Sequence, residues 1–166
     1  MDRLWTPWRY QYITGESGEK TNEAADNACV FCALAGDDAH DERNFVLHRA
    51  CFNFVVLNLY PYTSGHLMVV PFQHTADLDA APKETTDELM DLTKRCQTAL
   101  REVYRPQGFN LGMNLGRAAG AGVAGHIHLH VLPRWGGDAN FMSTIGETRV
   151  LPEDLQTTYQ RLSGKI

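Results

Sequence analysis

Residues 125–135 read GHIHLHVLPRW, and three of the chain's seven histidines, His126, His128 and His130, fall there on alternate positions. Ile127, Leu129 and Val131 fill the positions between, giving the period of two that marks a β-strand. On such a strand the three imidazoles share one face while the aliphatic side chains meet a core. At about 3.3 Å per residue, the backbones of His126 and His130 stand roughly 13 Å apart. A zinc–nitrogen bond is only about 2.1 Å long, so one metal ion does not take all three rings. Two neighbours can share a metal, or the row can line an extended ligand such as a polyphosphate. The plain alternative is a wet strand that happens to carry histidines. Strict alternation, between a Gly-rich loop and Pro133-Arg134, favours a site.

Working outward, the loop RAAGAGVAG (117–125) is built of small residues whose backbone N–H groups can approach an anion. It lacks the Gly-Lys-Ser/Thr ending of a nucleotide-binding P-loop. Arg134 and Arg117 could add fixed positive charge beside it. Before the loop, FNLGMNLG (109–116) reads as a strand, as do FVLHR (45–49), FNFVVLN (52–58) and HLMVVP (66–71), the last preceded by the turn YPYTSG. The stretch 81–106 places Leu89, Leu92, Cys96, Leu100 and Val103 on one helical face and ends at Pro106 and Gly108. A short helix in 151–162 closes the chain. The expected fold is α+β, a mainly antiparallel sheet of about five strands with one long helix and a short C-terminal helix.

A length of 166 residues and a hydrophobic fraction of 43% suit one domain with a core that needs no disulfides. We expect a single domain over 1–166, with 1–42 as an N-terminal extension and 43–155 as its core. The net charge of -5 argues against a nucleic-acid binder, which would carry a basic face. No apolar run reaches the roughly 18 residues of a membrane span. MDRLWTPWRY lacks the apolar segment of a secretory signal, so a cytoplasmic protein with reduced thiols is expected. In the extension, Trp5, Trp8, Tyr10 and Tyr12 form an aromatic patch expected to dock on the body or a partner chain. The polar segment 15–27 reads as a mobile loop.

Cys29-Val30-Phe31-Cys32 is either a redox pair or half of a zinc site. A redox pair would open a helix after a strand, whereas this one follows a polar loop. Two thiolates need two further ligands for a closed tetrahedral site, and His74 and His126 are the candidates. His48 is an alternative to His74, though a solvent-facing strand position suits it better. His40 reads as solvated, and Cys51 and Cys96 as small core or half-buried residues.

HIHLHVLPR resembles the His-x-His-x-His-x-x signature of the histidine-triad family of nucleotide hydrolases and transferases. NLYPYTSGHLMVVP is similar to that family's nucleotide-binding hairpin. PRWGGDANF and LWTPWRYQYI resemble a branch of phosphorylases acting on diadenosine tetraphosphate. The resemblance implies a HIT-like fold and a small nucleotide substrate. It makes His128 the nucleophile on the α-phosphorus, through a nucleotidyl-histidine intermediate. His130 would attend the phosphate or leaving-group oxygen, Asn58 the ribose, with His66 beside the triad, and Asn114 the phosphate or ribose. Relatives often carry Gln or Ser where this chain has Gly122 and Val123, so backbone N–H groups must substitute there. That leaves water or inorganic phosphate as the acceptor. Zinc-binding relatives use the first triad histidine as a ligand, which implies structural zinc on Cys29, Cys32, His74 and His126, with no organic cofactor. The resemblance also implies a homodimer. Two alternatives stand beside dinucleoside polyphosphate cleavage: a phosphoramidate or adenylate hydrolase using the same His128, and a zinc-stabilised nucleotide-binding protein with little turnover.

Overall fold

The structure, a computed structural model, describes residues 29–139, 143, 145, 146 and 151–166. The aromatic patch at 5–12 and the polar segment 15–27 lie outside the described residues, as do Asn140 and Phe141. Five strands form one antiparallel sheet: β1 (Val46–Arg49), β2 (Asn53–Leu57), β3 (Leu67–Pro71), β4 (Gly108–Gly112) and β5 (Leu129–Arg134). Their order across the sheet is β1-β2-β3-β5-β4. Among the described residues three α-helices accompany it: α1 (Val30–Gly36), the long α2 (Lys83–Tyr104) and the C-terminal α3 (Leu155–Leu162). The α+β architecture expected from the periodicity is the one observed. No helix among the described residues is long and apolar enough to cross a membrane.

The central strands β2 and β3 are buried at every position, which is why NFVVL and LMVVP are apolar throughout rather than alternating. One sheet face carries Val55, Leu57, Leu67, Val69, Leu129 and Val131. These pack on Leu89, Leu92, Cys96, Ala99 and Leu100 of α2 and on Leu162 of α3. Each aliphatic side chain so buried contributes about 1.5–3 kcal/mol. The opposite face carries Phe54, Val56, Met68 and Val70, covered by Phe31 of α1. The site lies on this second face.

Several details differ from the sequence reading. Helix α1 was not expected; it has only 7 residues and no capping side chain, so its own propensity is weak and tertiary contacts hold it. Arg49 supplies many of them. It donates to the carbonyls of Leu34 (2.7 Å) and Ala35 (3.1 Å) at the end of α1, while Asp41 engages its other edge at 2.7 Å. β5 begins at Leu129, so His126 and His128 of the alternating segment precede it, because β3 pairs with it no further than Val69↔Leu129. Ile127 N–H donates instead to the Thr75 carbonyl (2.8 Å). β4 stops at Gly112, short of 116. Cys96 is buried as expected, and burial pushes its thiol up to about 12. Cys51 is exposed, contrary to expectation, because it sits in the β1–β2 turn.

Two contacts fix the frame around the site. Gly65 has φ +75, and a Cβ there would lie 2.9 Å from Leu100, so the turn into β3 requires glycine. Glu88 of α2 accepts the backbone N–H groups of Cys51 (3.0 Å), Phe52 (2.7 Å) and Asn53 (2.8 Å), and the Asn53 side-chain amide at 2.9 Å. Burial alone would raise this carboxyl, but the Asn53 amide and the three backbone donors together hold it below its ordinary value. A carboxylate favoured in the folded state stabilises above the unfolded pKa, and that contribution is lost as pH falls through the folded value. Glu88→Gln should therefore cost about 1–3 kcal/mol in urea unfolding at neutral pH. The gap to wild type should narrow below the ordinary glutamate range; a gap constant with pH would contradict the charge assignment.

Candidate active site and metal centre

The short α1 begins at the first cysteine of Cys29-Val-Phe-Cys32, with Cys29 at its N-cap. It brings both thiols to the segment just ahead of β5, and His74 arrives from the loop after β3. Cys29 Sγ lies 3.3 Å from His126 Nδ1, and Cys32 Sγ lies 3.2 Å from His74 Nδ1 and 3.7 Å from His126 Nδ1. All four donor atoms fall within 4.8 Å of one another. A tetrahedral zinc with Zn–S of about 2.3 Å and Zn–N of about 2.1 Å has ligand–ligand edges of roughly 3.4–3.8 Å. The cluster is thus near the size of such a site before any ion enters it. Burial, and then the neighbouring Cys29 thiol, raise the Cys32 thiol above its ordinary value. A cation between the two sulfurs reverses that balance. His48 takes no part: Arg95 donates to its Nε2 at 3.3 Å. His40 is exposed and pairs with Asp37.

Proton positions on the other rings follow from partners that can only donate or only accept. His126 Nε2–H donates to the Pro71 carbonyl (2.9 Å), which leaves Nδ1 as a lone pair facing the thiols. The carbonyl of the same residue accepts from His128 Nδ1–H at 2.9 Å, so the bare nitrogen of His128 is Nε2. His66 Nδ1 accepts from the Tyr62 backbone N–H (3.2 Å) and from the Asn58 amide (3.3 Å). Its Nε2–H therefore donates to His130 Nδ1 at 2.9 Å. That arrangement leaves His130 with an N–H on Nε2, a donor suited to an anionic oxygen. The network thus prepares a lone pair on His128 and a donor on its neighbour.

All three triad histidines are buried. Burial, and then the neighbouring His128, push His130 down to about 4, so it is neutral at pH 7. Burial likewise lowers His128 against the opposing pull of its bond to the His126 carbonyl. The rings of His128 and His130 are 4.8 Å apart and nearly perpendicular. Phe31, between the two cysteines in sequence, lies 4.9 Å from the His128 ring and 5.4 Å from that of His126.

The remaining residues singled out from sequence are placed unevenly. Asn58 and His66 join the network directly. Asn114 is half-buried and follows β4 two residues after Gly112, whose register partner is His130. Gly122 is exposed, and Val123 packs against the cluster that contains Phe31. Arg134 is not left as a free charge: Asp138 holds it at 2.6 Å and Asn110 accepts from it at 2.5 Å. It lines a cavity of about 810 Å³ with Tyr62, Asn110, Leu132 and Trp135, beyond the triad. Tyr62 links the two places, since its ring lies 6.2 Å from that of His130. Tyr62 and Pro71 lie in the hairpin the sequence singled out, but no role of their own was legible there, and Phe31 was marked only by the cysteines around it; the fold brings all three to the histidines.

The HIT domain model matches residues 42–137. The chain is 41% identical over 164 residues to a protein of Mycobacterium tuberculosis named AP-4-A phosphorylase, covering 98% of this chain and 83% of that protein. An adenosine 5'-monophosphoramidase of Schizosaccharomyces pombe is 24% identical over 139 residues, 84% of this chain and 98% of that protein. Among solved structures, a Zn-bound histidine triad family protein from Mycobacterium smegmatis superposes with a TM-score of 0.68 at 33% identity. It covers 84% of this chain and 94% of that chain. With the His-x-His-x-His segment, its supporting hairpin and the matching sheet all in place, the chain belongs to the HIT family.

Proposed function

We propose that this chain, an enzyme of the HIT family, transfers a nucleotidyl group from a dinucleoside polyphosphate such as diadenosine tetraphosphate through a covalent intermediate on His128. The observation that carries this is the bond from His128 Nδ1–H to the His126 carbonyl, which leaves Nε2 as the free lone pair. In this reading Nε2 attacks the α-phosphorus, the N–P bond forms, and the bond from phosphorus to the bridging oxygen breaks, releasing ATP. The ring becomes cationic, and the His126 carbonyl already receives its remaining N–H. His130 donates its Nε2–H to a phosphoryl oxygen, where negative charge gathers in the transition state. Asn58 holds the ribose, and Asn114 and the backbone at Gly122 and Val123 attend the phosphates. Inorganic phosphate then attacks the intermediate to give ADP, or water attacks it to give AMP.

The name of the M. tuberculosis relative supports phosphorolysis. The cavity beside Tyr62 supports a long substrate, since it offers room for a leaving nucleotide. Its Arg134 is already neutralised by Asp138, so it suits a nucleoside end better than bare polyphosphate. The phosphoramidase among the relatives supports a second reading, a phosphoramidate or adenylate hydrolase with the same nucleophile. Cys29, Cys32, His74 and His126 would hold zinc, which supplies structure by pinning α1 beside the triad. Leu111, 44% exposed on the edge strand β4, supports a two-fold dimer through that edge. We place such an enzyme in the cytoplasm, where thiols stay reduced.

His128→Ala should lower kcat on diadenosine tetraphosphate by at least about a thousandfold while nucleotide still binds in calorimetry. Wild-type turnover in that variant would rule out the nucleophile. Product analysis with phosphate present should show ADP beside ATP, whereas AMP beside ATP with no ADP would identify a hydrolase. Purified protein should contain about one zinc per chain, and Cys29→Ser should lose most of it; unchanged metal content would overturn the ligand set.

A further inference from the structure

Helix α1 ends on carbonyls gripped by Arg49 and begins on the two thiols of the metal cluster. Between the thiols stands Phe31, buried to 4% exposure, its ring against both His126 and His128. Among the described residues the His128 ring has one hydrogen bond, at Nδ1. Its Cβ and this one bond set the ring's angle, and the slack of a single bond still lets the ring rock, carrying Nε2 off the line of attack. Ring contacts must stop that rocking. His130 gives one at 4.8 Å and Phe31 a second at 4.9 Å.

We propose that Phe31 is a positioning residue for His128, and that metal binding at Cys29 and Cys32 is what holds its ring there. The proposal rests on His128 being the nucleophile. Occupancy of the metal site then sets the rate of turnover through Phe31, in addition to holding the fold. Because Phe31 is almost fully covered, it has little surface left for a substrate, so its loss affects kcat rather than KM. A displacement of the attacking atom by about 1 Å can cost on the order of a hundredfold in rate.

The test compares zinc-loaded wild type, Phe31→Ala, Phe31→Leu and metal-depleted wild type, with ring ¹⁵N–¹H correlation spectra assigned by His128→Ala. In loaded wild type, His128 should show one protonated Nδ1 held in a single environment. Phe31→Ala should keep its zinc but broaden or lose that signal, with kcat down about ten- to a hundredfold and KM within about twofold. Phe31→Leu, which refills most of the volume, should recover part of both, and it carries the test if the alanine variant does not fold. Metal-depleted wild type should show the same spectral change as Phe31→Ala. An unchanged His128 signal in both Phe31 variants overturns the proposal, as does a raised KM at wild-type kcat, which would make Phe31 a wall of the substrate pocket. A metal-depleted protein that keeps the wild-type signal overturns the metal's part. If His128→Ala turns over at the wild-type rate, the nucleophile reading has failed, and the spectra still decide whether Phe31 orients the ring.

Discussion

The bond from His128 Nδ1–H to the carbonyl of His126 joins two chemistries in one peptide unit. His126 commits its ring nitrogens to the Pro71 carbonyl on one side and the thiols on the other, while its backbone oxygen fixes the tautomer of the next histidine but one. None of these contacts leaves slack. A backbone shift that moved the His126 ring toward or away from the thiols would also move the carbonyl on which His128 depends. Two strands alone would not supply this rigidity, since His126 and His128 precede the β5 ladder and are held by side-chain and ring contacts instead.

The second chain of bonds runs the other way. It starts at the backbone N–H of Tyr62 and the amide of Asn58, passes through His66, and ends at Nδ1 of His130, which leaves the proton of that ring on Nε2. His66 enters its place through a turn that favours glycine, because Gly65 has a positive φ and a Cβ there would come within 2.9 Å of Leu100 of the long helix. The packing of α2 on one face of the sheet thus limits the proton arrangement on the other. Buried polar networks of this kind tolerate no half-satisfied member, since each unpaired group would carry its full desolvation cost.

Much of this was legible before any coordinates. The strand runs at 45–71, the apolar face of α2 and the short closing helix follow from periodicity, and alternation put the three histidines together. The meeting of the two thiols with His74 and His126 was also within reach, because Cys-x-x-Cys demands partners and few histidines were unspoken for. Helix α1 was not legible: VFCALAG is too short for its propensity to speak, and its hold comes from Arg49, which reads as an ordinary strand residue. Cys51 misled for a related reason, since its neighbours look like strand while Glu88, 37 residues on, shapes the turn. Arg134 looked like an anion ligand, yet Asp138, only four residues away, engages it. Pattern reports local period well and pairing across the chain poorly.

The covering of the histidine-bearing face by α1 bears on how much of the chain encloses the site. Residues 42–137 match the family model, yet Cys29, Phe31 and Cys32 lie upstream of that stretch and Leu162, part of the core under the sheet, lies downstream. A fragment cut to the matched span would keep every histidine of the signature and lose the wall behind them. Its strands would expose Phe54, Met68 and Val70 to water. What the family model spans and what encloses these histidines are therefore different lengths of chain here.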